Sequence, residues 1–142
     1  MLAKPKAGWT TVTIGEFEAE ASYLVDIPFE WLKGCLIGLK EKIPITLFID
    51  EEGSEEYIVS YYEGTHIIID RDDQPQCMTY RNIDFMDITK SVIDDIRLYF
   101  EDWVQWSPYE DWKKRKVELK ELILETEKTL MKEVERCNKK LK

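Results

Sequence analysis

Apolar residues gather in strand-length runs between Ile45 and Asp70, and the rest of the chain can be arranged around that stretch. It contains three short runs, PITLFID, EYIVSYY and HIIID, separated by EEGSE and EGT. The runs are rich in Ile, Val, Phe and Tyr, which suit a pleated surface. The breaks carry Gly53 and Gly64 among acidic and hydroxyl residues, the chemistry of tight turns. Ile45, Leu47 and Ile49 alternate with Thr46, Phe48 and Asp50, so one face is apolar and needs a cover. The pattern predicts an antiparallel three-strand meander.

Upstream, the β-branched run Trp9 to Ile14 predicts a strand that Gly15 breaks. Glu16 to Leu24 then alternates: Phe17, Ala19, Ala21 and Tyr23 on one face, Glu16, Glu18, Glu20 and Ser22 on the other. The pair predicts a half-exposed hairpin. Asp26-Ile27-Pro28 signals a helix start, and the helix should run to about Lys40. Phe29, Leu32, Leu36 and Leu39, with Cys35 beside them, form its apolar stripe. Gly34 and Gly38 sit on one side and each costs about 1 kcal/mol of helix propensity relative to Ala. They imply a close backbone approach, most simply a helix lying tight on the sheet. Pro44 forces the chain extended into the meander.

Downstream, Arg71 to Pro75 reads as a polar loop and Gln76 to Arg81 as a further strand. From Asp87, read as a cap, the period becomes helical. Ile88, Val92, Ile93, Ile96, Tyr99, Phe100 and Trp103 fall on one arc. Ser107-Pro108-Tyr109-Glu110 has the form of a capping box with Pro at the first helical position and predicts the start of a long final helix. Leu119, Ile123, Leu130, Val134, Cys137 and Leu141 give that helix a rough heptad stripe, which Val117, Leu124 and Met131 widen and Lys116 and Thr126 interrupt. Thirty-odd residues would span about 50 Å. The helix must pack back, pair with a second copy, or fray near Asn138. The expected fold is α+β in a single domain, 1–142: an antiparallel sheet of five to six strands in the order ββαβββ(β)αα, with helices on one face and a long helix from residue 108.

Charge distribution changes this picture more than composition does. The 142 residues carry a net charge of −9. Residues 1–110 hold 9 Lys+Arg against 22 Asp+Glu, a net −13, and residues 111–142 hold 11 against 7, a net +4. An acidic body should repel nucleic acid and anionic membranes and attract a basic partner. Met1 to Gly8 is polar and lacks the apolar core of a signal peptide. No apolar run approaches the roughly 18–20 residues of a membrane span. Three scattered cysteines, Cys35, Cys77 and Cys137, give no metal-ligand spacing, and reduced thiols in a cytoplasmic setting are expected.

Candidate chemistry is sparse. His66, the only histidine, has no nucleophile in a recognised context beside it, and no role is assigned to it. Carboxylates cluster at Asp50, Glu51, Glu52, Glu55 and Glu56 and again at Asp70, Asp72 and Asp73. Asp70-x-Asp72 opens like a calcium loop, but the Gly at the sixth position and the Glu at the twelfth are absent. No metal, cofactor or catalytic set is expected. The clusters are either solvated loops or an acidic recognition face made of Glu51, Glu52, Glu55, Asp70, Asp72 and Asp73. Trp103, Trp106, Tyr109 and Trp112 recur every third residue, either as interface anchors or, as expected here, as the elbow between two helices.

Two stretches, GEFEAEASYLVDIPFEWLKG and FIDEEGSEEYIVSYYEG, resemble a pattern found in small acidic bacterial proteins, some of which look like immunity partners of polymorphic toxins. The resemblance covers about residues 15–70. It implies binding rather than catalysis: a cytoplasmic, non-enzymatic module whose acidic surface meets a basic protein partner and engages neither nucleic acid nor membrane. The rival expectation is a homo-oligomeric scaffold assembled through 108–141.

Overall fold

The computed structural model describes residues 1–51, 54–71, 74–108 and 110–140. Two antiparallel strands, β1 (Trp9–Ile14) and β2 (Phe17–Ser22), lead into helix α1 (Ile27–Glu41). A four-strand meander follows: β3 (Ile45–Glu51), β4 (Ser54–Tyr61), β5 (Gly64–Arg71) and β6 (Gln74–Tyr80). Helix α2 (Phe85–Leu98), short α3 (Phe100–Val104) and long α4 (Trp112–Lys140) complete an α+β chain. The six strands are shared between two sheets, β1-β2 and β3-β4-β5-β6, with β2 beside β3. Each sheet is made of strands consecutive in the chain, and α1 separates the two sets.

The molecule is layered. The inner rows of the meander, Leu47–Ile58–Ile67 and Ile45–Ser60–Thr65, are buried beneath the helices. α1 packs on β3 and α2 on β4, and α4 lies across α1 and α2 as a third layer. Buried apolar residues form one cluster from Leu2 to Leu130. The two α1 glycines do what their spacing implied. A Cβ on Gly38 would sit 2.4 Å from Ile45 Cγ1, and one on Gly34 would sit 3.3 Å from the Thr46 carbonyl oxygen. No helix among the described residues is long and apolar enough to cross a membrane.

Several boundaries differ from the sequence reading, each for a local reason. Arg71 and Gln74 belong to strands, because their ladder pairing continues to the end of the hairpin. Asp84, not Asp87, caps α2: Asp84 Oδ1 accepts from the amides of Met86 at 2.9 Å and Asp87 at 3.0 Å. Asp87 returns a bond from the third helical position, accepting from the Asp84 amide at 3.0 Å, so the shorter acid completes a capping box. The helix then breaks at Tyr99, whose φ of −117° and ψ of 42° lie outside the helical region. That break separates α2 from α3, and Trp103 and Trp106 pack against each other in the core, with centroids 5.1 Å apart and rings tilted by 43°. These two tryptophans are elbow residues; Trp112 is half exposed and Tyr109 lies outside the described residues.

α4 begins at Trp112, not at the Ser107 box. Asp111 Oδ1 accepts from the amides of Lys113 at 3.0 Å and Lys114 at 3.3 Å, and a carboxylate is the stronger partner for a helix N-terminus. Ser107 instead offers its carbonyl to the Trp112 indole at 3.1 Å.

Two polar anchors hold α4 to the body. Arg115, 5% exposed, makes a fork to Asp26 at 2.8 and 3.1 Å, donates to the Val104 carbonyl at 2.8 Å and lies over the Phe29 ring. Asp26, part of the helix-start signal, occupies the N-cap position of α1 but makes no side-chain cap bond; its carboxylate serves Arg115 instead. At the other end Glu133, 3% exposed, accepts from Lys42, Arg136 and Tyr62. Hydrogen bonding from Arg136 outweighs desolvation and holds its carboxyl well below the ordinary value, while desolvation and the bond to Glu133 push the Tyr62 phenol up to about 12. Thr126, read as an interruption of the stripe, is buried and returns its hydroxyl to the Leu122 carbonyl at 2.7 Å. The helix therefore turns Arg115, Leu119, Ile123, Thr126, Leu130 and Glu133 inward and leaves Val117, Leu124 and Met131 outward.

Candidate functional site

Among the described residues no helix packs on the meander's outer face, and the antiparallel register defines what stands on it. Asp50 lies opposite Glu55, and Glu55 opposite Asp70, so three carboxylates form one row across β3, β4 and β5. Directly opposite residues on one face have Cβ atoms about 4.5–5.5 Å apart, close enough for like charges to repel. Two residues along each strand comes a second row: Phe48, Tyr57, Ile68 and Cys77. A third holds Thr46, Val59, His66 and Thr79.

The two leading rows are physically joined through Tyr57. Its ring lies 5.1 Å from that of Phe48, and its hydroxyl donates to Glu55 Oε2 at 3.1 Å. That bond, above all, and then lost solvation and the charges of Glu55, Asp70 and Asp50 raise the phenol's pKa above 10.0. Phe48 and Tyr57 are half-buried, and Ile68 is exposed. The arrangement is a shallow aromatic and aliphatic strip with negative charge along one border. Such a surface can desolvate an apolar side chain while attracting a cation beside it. On the third row His66 is tied at Nδ1 to Thr79 Oγ1 at 3.1 Å and at Nε2 to Glu63 Oε1 at 3.0 Å. No Ser or Cys nucleophile stands within its hydrogen bonds among the described residues.

Of the acids expected to form a recognition face, Glu55 and Asp70 are cross-strand neighbours on this surface. The backbone of Glu51 pairs with Ser54, and Ser54 with Arg71, so the ends of β3 and β5 flank the start of β4. The Glu51 side chain and Glu52, Asp72 and Asp73 lie outside the described residues. Glu56, counted with the acidic cluster, is buried on the inner face, opposite Ile49 and Ile69. Period-2 alternation turns it away from its neighbour Glu55. Asp50, Phe48, Tyr57 and Ile68 were not among the predicted binding residues. Strand parity puts Phe48 and Asp50 together, but only the register adds Glu55, Tyr57, Ile68 and Asp70.

No group of His, Cys, Asp and Glu among the described residues is arranged to hold a metal ion. Comparison of the chain with protein-family models, with curated proteins and with solved structures finds no match in any of the three.

Proposed function

We propose that the protein is a binding module that presents the open face of its four-stranded sheet to a basic protein partner. The supporting observation is the Asp50–Glu55–Asp70 row set against the Phe48–Tyr57–Ile68 row on a surface no helix covers. The carboxylates would speed encounter with a cationic surface, and the apolar strip would supply the buried centre that slows release. A helix or loop of the partner carrying Lys or Arg beside apolar side chains fits this pattern. A net −13 over residues 1–110 adds a long-range field of the same sign.

Within this reading the resemblance of residues 15–70 to immunity-type proteins suggests what such binding would accomplish: occlusion of a basic toxin domain. The setting is cytoplasmic, in keeping with three free thiols at Cys35, Cys77 and Cys137. The test is an amide-resolved NMR titration with a synthetic amphipathic Lys/Leu peptide. Shifts should concentrate at residues 46–50, 55–59 and 66–70 and disappear when Asp50→Asn, Glu55→Gln and Asp70→Asn are combined. Shifts spread evenly over every acidic surface, or unchanged in the triple variant, would refute the assignment.

A further inference from the structure

The outer face of α4 carries a second pattern that the sheet surface does not explain. Val117, Leu124 and Met131 recur every seven residues and are 58%, 54% and 66% exposed, with Val134 joining them at 40%. Seven-residue spacing keeps side chains on nearly one line along a helix. Beside this line, α2 and α4 enclose two grooves on either side of an ion pair between Arg97 and Glu127, at 2.6 Å. One, about 510 Å³, is lined by Ile93, Leu130, Met131 and Val134; the other, about 420 Å³, is lined by Phe100, Ile123 and Leu124. Leu124, Met131 and Val134 thus belong to both the ridge and its grooves.

We propose that this face is where a second copy of the chain docks, α4 against α4, antiparallel about a two-fold axis at Leu124. Charge selects both the occupant and its direction. Lys113 and Lys120 stand on the N-terminal half of the face, Glu127 and Glu135 on the C-terminal half. Val117 and Met131 each lie seven residues from Leu124, and Lys113 and Glu135 each lie eleven. Antiparallel pairing therefore sets Val117 against the second copy's Met131, Lys113 against its Glu135, and Lys120 within one residue of its Glu127. Parallel pairing would set each of these charges against itself. Neither Lys113 nor Lys120 is in an ion pair among the described residues, while Glu127 and Glu135 meet Arg97 at 2.6 Å and Lys139 at 3.4 Å in surface pairs that a second copy's lysines can join. The surface is self-complementary, as a two-fold interface requires.

The contact from residue 113 to residue 135 is about 33 Å long, and across two helices about 20 Å wide. That is roughly 650 Å² per copy, at the lower end for specific interfaces, so the dimer should be reversible and follow concentration.

Sedimentation of the full chain from about 1 μM to about 1 mM should show the mass rising from 16.9 kDa toward twice that value. Leu124→Asp, at an exposed position that leaves the core untouched, should shift the midpoint at least about ten-fold upward, with an unchanged circular dichroism spectrum. Lys113→Glu with Lys120→Glu should do the same, and mixing that variant with Glu127→Lys/Glu135→Lys should restore association. In a Cys77→Ser/Cys137→Ser background, Leu124→Cys should form an intermolecular disulfide on oxidation. Val117→Cys should cross-link to Met131→Cys and not to itself. A chain that stays monomeric throughout, a dimer indifferent to Leu124→Asp, or Val117→Cys linked to itself would overturn the proposal.

Discussion

The open face of the β3–β6 sheet and the outer face of α4 both expose apolar side chains beside charges, but the charges follow different plans. On the sheet the Asp50, Glu55 and Asp70 row is of one sign, and Tyr57 registers it through a raised pKa. On α4 the sign reverses along the helix, from Lys113 and Lys120 to Glu127 and Glu135. A surface of one sign repels its own copy and selects a partner of the other sign. A surface whose sign reverses end to end matches itself when turned through a two-fold axis. Apolar exposure says that something docks; charge order says whether it is a stranger or a twin.

Variants can separate the two surfaces. The largest effect should come from Arg115→Ala, which leaves Asp26 without its fork partner and opens space over Phe29. Arg115 is buried but the Asp26 carboxylate is 35% exposed, so the loss in urea unfolding should fall below that of a fully buried pair, at about 2–3 kcal/mol. The same change should loosen α4 and weaken self-association while sparing the sheet face.

Next comes Glu133→Gln, with an expected loss of about 2 kcal/mol at pH 7 in the same assay. Here pH gives the sharper readout. The folded carboxyl titrates below its ordinary 4.5, so its contribution is complete above that value and is lost as pH falls through and below it. The parent chain should therefore lose stability between about pH 5 and pH 2 more steeply than Glu133→Gln.

A smaller effect is expected from the triple neutralisation of Asp50, Glu55 and Asp70. It should slow association with a basic partner at least about ten-fold at low salt and flatten the salt dependence, measured by stopped flow. Dimerisation through α4 should not change. In the same variant the Tyr57 phenol should titrate closer to 10.0 by ultraviolet absorbance, because the groups that raise it are gone. The smallest perturbation is a thiol probe. Cys77 is exposed on the Phe48–Tyr57–Ile68 row, whereas burial pushes the Cys35 thiol up to about 12. A disulfide reagent should label Cys77 quickly and Cys35 only on unfolding, and a basic peptide on the sheet should protect Cys77 where dimerisation does not.

Much of the architecture was legible because it rests on local pattern. Ile45, Leu47 and Ile49 alternate at period 2 and are all buried, and Gly34 and Gly38 flagged the close seat of α1 on β3. The losses came where two local signals competed or where a distant partner decided. Asp87 was read as the α2 cap, but it sits at the third helical position and Asp84 holds the cap, which only the backbone geometry reveals. Asp26 marked the start of α1, but its carboxylate is taken by Arg115, far along the chain, which nothing local announces. On α4, Glu133 turned inward and Met131 outward, the reverse of what polarity alone suggests, because Lys42, Arg136 and Tyr62 compensate the buried charge. On the sheet, no periodicity within one strand could place Glu55 beside both Asp50 and Asp70. That required the register of three strands, which is a tertiary fact.

The difference between the two surfaces is tested most directly by one set of amide-resolved NMR spectra recorded on dilution and on titration with a basic amphipathic peptide. Dilution should move resonances of residues 113–135 and leave those of β3, β4 and β5 in place; the peptide should do the opposite. If both perturbations move the same residues, or if the peptide acts on α4 and dilution on the sheet, the division of labour described here is wrong.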